Sequence, residues 1–325
     1  MTVDENSLEI TIAPAKKLGS NANVSFDRKA GIVHLINDIT TGESDATTTI
    51  GINRGLSDNE VHVWGNFPVG GHSFSAFISV NNPALWAAKL FKDALVARGI
   101  QVDGDPHSRD ARVAASEKFD PQQRFQIASV ESEALSAIVR HTNKTSDNLY
   151  AELILRTIGK ERGSLANDPD ARKNRGRGDD EAGVAVIKWW LNTHGIPANA
   201  LAINDGSGLS RLDLVTPETT GRLLTAMANS PSNPVFHDSL PIAGRDGTLQ
   251  GRLSAEAGRI FAKTGSLTYD HSLSGYLTTP AGEVLSFSIF CNDATAESRP
   301  VRTIDAIVGL LAGNEPHQPR KSAQK

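Results

Sequence analysis

Residues 138–159 read IVRHTNKTSDNLYAELILRTIG, and two helical patterns meet there. Upstream, Leu135, Ile138 and Val139 fall on one face of a helix expected over about 131–141. Downstream, Leu149, Leu153, Ile154 and Ile158 mark a second helix over about 147–158, stopped by Gly159. Ser146-Asp147-Asn148 lies at the joint, where a serine or aspartate can serve as an ordinary helix N-cap. The same triplet recurs at Ser57-Asp58-Asn59, between Gly55 and the alternating run Val61–Trp64, and reads there as a hairpin turn. The helical flanks distinguish the 146–148 copy.

Away from that joint the texture divides. Residues 1–80 carry short alternating runs, Leu8–Ile12, Ile32–Leu35, Val61–Trp64 and Phe74–Val80, expected as strands. Asn82-Pro83 opens a helix whose Leu85, Trp86, Leu90, Phe91, Ala94 and Leu95 share a face, ended by Gly99. A polar stretch from Gly104-Asp105-Pro106 to about 120 reads as a boundary. Later, 160–181 holds six basic and six acidic residues and reads as a solvated loop, followed by a helix over about 181–194. Ile260–Lys263, Ser272–Leu277 and Val284–Cys291 read as strands, and about 299–312 as a last helix. The expected division is a β-rich module over 1–115, an α/β (α+β) domain over 116–314 and a disordered tail over 315–325.

Composition removes several classes of function. The 325 residues are 39% hydrophobic, enough for real cores and against whole-chain disorder. With 33 Lys+Arg against 37 Asp+Glu, the net charge of −4 offers no basic excess for nucleic acid. A single cysteine, Cys291, rules out an intrachain disulfide framework and a cysteine-rich zinc site. No run approaches the length of a membrane-spanning helix. The nine histidines show no short ligand spacing, so neither metal nor cofactor is expected. Asn143-Lys144-Thr145 is a glycosylation sequon of the kind that arises by chance.

Lys263-Thr264-Gly265 follows the Ser146 triplet by 117 residues. On its own it also reads as a strand-end turn, with glycine supplying an unusual backbone angle. Between the two lie Asp205-Gly206-Ser207-Gly208-Leu209-Ser210-Arg211, then Thr216-Pro217, then Ser239–Gly244 leading into Asp246-Gly247-Thr248-Leu249. This ordered set closely resembles the D-alanyl-D-alanine carboxypeptidases/endopeptidases of the DacB, or penicillin-binding protein 4, type, over about residues 121–314. The β-rich first part resembles the modules which that family inserts between its S-x-x-K and SDN elements.

The resemblance implies a β-lactamase/transpeptidase-like core, an antiparallel sheet flanked by helices, and chemistry through an acyl-serine. It implies that Ser146 shuttles a proton toward the leaving amine and that Asn148 holds the substrate amide. Asp147 is expected to turn away and brace its loop. Lys263 would raise the potential of the cleft and tune proton transfer at Ser146. Thr264 and Ser266 would bind the terminal carboxylate of a D-Ala-D-Ala stem, with the Ser266 N–H as half of an oxyanion hole. Gly265 would permit close approach, and Ser207 and Arg211 would line the cleft. The implied partner is a peptidoglycan stem peptide or a β-lactam.

One element departs from the pattern. The only S-x-x-K is Ser322-Ala323-Gln324-Lys325, a chance match in the polar tail. The expectation is therefore an incomplete core and an inactive fragment, with no nucleophile present, in which Ser146 does not take over that role with Lys263 or Lys144 as base. Its first residues, MTVDENSLEITIAPA, carry no signal peptide, so the chain as given is expected to stay in the cytoplasm although the family works outside it. A non-catalytic module binding peptidoglycan or a protein, and a β-lactamase-like hydrolase, are the alternatives.

Overall fold

The computed structural model describes residues 2–27, 31–109, 120, 122, 125–163, 179–199 and 201–313. The chain forms two compact units, Met1–Ser129 and Val130–Lys325. Much of the expected 160–181 loop and 104–120 boundary, and the tail from 315, lie outside the described residues.

In the first unit, alternation builds two three-stranded sheets. Strands β1 (Ser7–Ala13), β2 (Asn23–Phe26) and β6 (Phe74–Ser79) pair antiparallel in the order β2-β1-β6. Strands β3 (His34–Gly42), β4 (Thr49–Arg54) and β5 (Glu60–Pro68) form the second, with β3 parallel and β4 antiparallel to the central β5. Ile10 and Ile12 of the first sheet and Ile39, Val61, Val63 and Phe67 of the second share one buried cluster. Helix α1 (Pro83–Val96) adds Trp86, fully buried with Leu8 and Val80. Its cap is the expected one, since the Asn82 side chain accepts the Leu85 N–H at 3.1 Å. Ser57-Asp58-Asn59 is indeed the turn joining β4 to β5, with Arg54 opposite Val61 and the Asp58 carboxylate accepting the Glu60 N–H at 3.0 Å.

The second unit is an antiparallel sheet with helices on both faces. Its strands β7 (Ile260–Leu267), β8 (Asp270–Thr278) and β9 (Val284–Cys291) lie in sequence order; Ile242 bridges the outer side of β7 at Phe261, and among the described residues β9 has no strand beyond it. One face, with Ile260, Ala262, Leu273, Leu277 and Phe287, buries Ile304 and Val308 of helix α7 (Pro300–Leu311). On the other, Tyr276 packs with Leu224 and Leu240, and its hydroxyl donates to the Leu224 carbonyl at 2.7 Å. Burial pushes that phenol up to about 12.

The remaining helices are α2 (Leu135–Thr145), α3 (Asn148–Arg162), α4 (Asp179–Thr193), α5 (Pro217–Ala228) and α6 (Asn233–Ser239). Helix α2 starts and ends four residues later than the apolar pattern suggests. Leu135, counted into the pattern, is 66% exposed and anchors nothing, whereas Thr142 near the far end is buried. Helices α3 and α4 run backbone against backbone: a Cβ on Gly159 would strike the Asp179 carbonyl, and one on Gly183 the Leu155 carbonyl. Helices α5 and α6, absent from the sequence reading, each begin with a hydroxyl residue and a proline in the first turn, a start signal present in Thr216-Pro217.

Candidate active site

The joint between α2 and α3 is held in an uncommon backbone conformation. Ser146 closes α2 with φ 60°, ψ 49°, in the left-handed region that non-glycine residues rarely occupy. Its N–H and that of Asp147 both reach the Thr142 carbonyl. Asp147 then caps α3, accepting the Tyr150 N–H at 3.0 Å, while its other oxygen lies 3.4 Å from His141 Nε2. The aspartate is thus spent on the two helices and only the residues on either side of it line the cleft.

Two residues before Ser146, Lys144 ties α2 to the loop that precedes β7. Its ammonium donates to both Asp246 oxygens, at 2.8 and 2.7 Å, and to the Leu240 carbonyl at 2.6 Å. Asp246 also accepts the Ile242 N–H at 2.8 Å. All three donors of the Lys144 ammonium are thereby engaged. Asn143 of the sequon donates its Nδ2, the atom a glycan would take, to the buried Ser239 hydroxyl at 2.7 Å.

Lys-Thr-Gly lies within β7 and not at its end. Gly265 opposes Ser272, and a Cβ there would collide with the Ser272 hydroxyl, so the strand passes through glycine because its neighbour needs the room. Lys263 projects to the face opposite the Ile260–Ala262 core. Its Nζ donates to Ser146 Oγ at 2.6 Å and to the Thr264 carbonyl at 2.8 Å. Among the described residues no carboxylate forms an ion pair with it, and burial pulls its pKa below the ordinary lysine value. The motifs 117 residues apart are therefore joined by one hydrogen bond.

The glycine-rich loop 205–211 forms the facing wall. Glu152 of α3, four residues beyond Asn148, accepts the N–H groups of Gly206 at 2.9 Å and Ser207 at 3.2 Å. Asp205 folds the loop by accepting from Gly208 and Ser210 at 2.6 and 2.7 Å. Arg211 spans to the β7–β8 turn, donating to Asp270 at 3.0 Å and to the Thr268 carbonyl at 2.8 Å.

All eight residues singled out from the sequence, Ser146, Asn148, Ser207, Arg211, Lys263, Thr264, Gly265 and Ser266, line one cleft of about 800 Å³. The sequence reading missed three contributors. Thr248 of the DGTL run accepts the Thr264 hydroxyl at 2.8 Å. Glu152 is the second; a carboxylate inside LYAELIL was its only signal. The third is Asp213, whose carboxyl is pushed up by burial and by the neighbouring Asp205 charge.

The family model described as D-Ala-D-Ala carboxypeptidase 3 (S13) matches residues 1–314. The chain belongs to this S13 family. The D-alanyl-D-alanine carboxypeptidase of Actinomadura sp. (strain R39) is 32% identical over 328 residues, covering 99% of this chain and 57% of that protein. The DacB D-alanyl-D-alanine carboxypeptidase of Haemophilus influenzae is 29% identical over 223 residues, covering 67% of this chain and 42% of that one. The crystal structure of penicillin-binding protein 4 (dacB) from H. influenzae, complexed with a novel β-lactam, superposes with a TM-score of 0.76 at 22% identity. It covers 96% of this chain and 70% of its own, and establishes the likeness of fold. The chain spans about half the length of the curated relatives it matches. Among the described residues, no helix is long and apolar enough to cross a membrane.

Proposed function

We propose that the Ser146–Lys263 cleft recognises the D-Ala-D-Ala end of a peptidoglycan stem peptide, or a β-lactam of similar shape, outside the cytoplasm. The observation that carries this reading is the 2.6 Å bond from Lys263 Nζ to Ser146 Oγ. A cation that among the described residues pairs with no carboxylate, held in a partly dry cleft, attracts the anionic end of a ligand strongly. The Ser146 hydroxyl accepts from Lys263 and keeps its own proton to donate, so it can relay a proton toward a leaving amine. Asn148 offers an amide to the ligand backbone. Ser266 offers a hydroxyl to its carboxylate, Thr264 does the same once its proton turns from Thr248, Gly265 lets the ligand lie close to β7, and Ser207 and Arg211 bound the cleft from the facing loop.

These 325 residues are proposed to bind without forming an acyl-serine, because the S-x-x-K found at 322–325 lies in a polar tail far from the cleft in sequence. Incubation with a fluorescent penicillin should give saturable, reversible binding and an unchanged intact mass. Lys263→Ala should abolish the binding. A covalent adduct on Ser146 would overturn the binding-only reading, and binding indifferent to Lys263→Ala would overturn the site.

A further inference from the structure

The outer face of the β3-β5-β4 sheet carries a tryptophan that the fold leaves about half in water. Val61, Val63 and Phe67 of β5 point inward and are buried, whereas Trp64 points outward and is 43% exposed. Leaving a ring of that size half in water forgoes much of the burial that normally repays it. The strand register places Asp38 on one side of Trp64 and Gly51 on the other. The indole leans over β4, since a Cβ on Gly51 would overlap its Cε2, Cζ2 and Nε1 atoms. Beside it stands the His62 ring, 5.2 Å away between centroids and tilted by 49°. His62 is held in turn by Asp38, with 2.8 Å between Nε2 and Oδ2. Among the described residues, Asp38 Oδ1, His62 Nδ1 and the Asn53 side-chain amide have no hydrogen-bond partner, and all three residues face outward in adjoining rows.

An exposed aromatic ring bordered by oriented polar groups suits a ligand with one apolar face and a rim of hydroxyls. A pyranose is such a ligand: its C–H face stacks on an indole, and its equatorial hydroxyls reach groups at the ring's edge. Charge argues against the other flat ligand, a nucleotide, because its phosphate would meet the carboxylates of Asp38 and Glu60 on the same face. We propose that this face is a saccharide-binding site, with Trp64 as the stacking platform and Asp38, His62 and Asn53 as the polar rim. The choice of a β-1,4-linked N-acetylamino sugar chain as the saccharide rests on the proposed peptidoglycan function; the stacking geometry does not.

Calorimetric titration of the whole chain with tetra-N-acetylchitotetraose tests this. Saturable binding is expected, weakened about tenfold or more by Trp64→Ala. His62→Ala leaves the platform in place and should weaken binding about threefold or more through the lost rim contact. Should Trp64→Ala fail to fold with Gly51 uncovered, His62→Ala decides. Absence of saturable binding, or unchanged affinity in the folded variants, overturns the proposal. Lys263→Ala should leave saccharide binding intact, so failure of the cleft and failure of this face give separate results.

Discussion

Lys263 concentrates the chemistry of the second unit in one ammonium group. Burial lowers its pKa from the ordinary 10.5. Between that lowered value and 10.5 the unfolded chain holds a proton that the folded site has shed. Folding stability therefore rises with pH across this window, and the burial cost is fully present below it. Ligand binding moves the opposite way, because a carboxylate is attracted only while Lys263 is charged. Affinity for a carboxylate-ended peptide, measured between about pH 7 and 11, should fall with a midpoint below that of a free lysine. A midpoint at the ordinary value would show that the ammonium is not buried against Ser146. The geometry of Ser146 adds to this, since its left-handed backbone aims the hydroxyl at β7 at a cost of about 1 kcal/mol.

At the scale of elements, the site depends on how closely α3 lies against α4. Gly183 faces the Leu155 carbonyl with no room for a side chain, so Gly183→Ala must push the helices apart. A loss of about 1–3 kcal/mol is expected in chemical denaturation, together with weaker penicillin binding, because Asn148 and Glu152 ride on α3. Stability unchanged within error would mean that the two helices separate freely. Much of this arrangement is legible in sequence. Leu8, Ile10 and Ile12 are buried as their alternation requires, Asn82 caps α1, and the 57–59 copy of the triplet is a turn. Local pattern fails where a partner distant in sequence decides. The expected strand Ile260–Lys263 extends to eight residues because β8 pairs the Lys-Thr-Gly run as far as Leu267. Strand β4 is hard to read from sequence because only Ile50 and Ile52 carry its alternation, while Gly51, which gives Trp64 its room, and Asn53 are poor strand formers. The site motifs were readable as residue types at set intervals, whereas Thr248 and Glu152 act through loops that only the folded chain brings near.

For the whole molecule, two units with separate cores carry two kinds of surface: a polar cleft built on β7 and an aromatic face built on β5. Composition predicted cores of this capacity, but a net charge of −4 says nothing of where apolar area remains outside them. Along β9 it remains. Among the described residues, no strand pairs the far side of β9; Val284 at its start is 67% exposed, and Ile307, Leu310 and Leu311 on α7 are 41–50% exposed. A row of unpaired backbone donors and acceptors beside apolar side chains is a template for joining chains. Light scattering of the purified chain should therefore rise with protein concentration, and Val284→Lys should suppress that rise; scattering independent of concentration would count against a sticky edge. The open side of β9 thus ties the chain's behaviour in solution to its concentration, because each added molecule brings another edge on which a strand can pair.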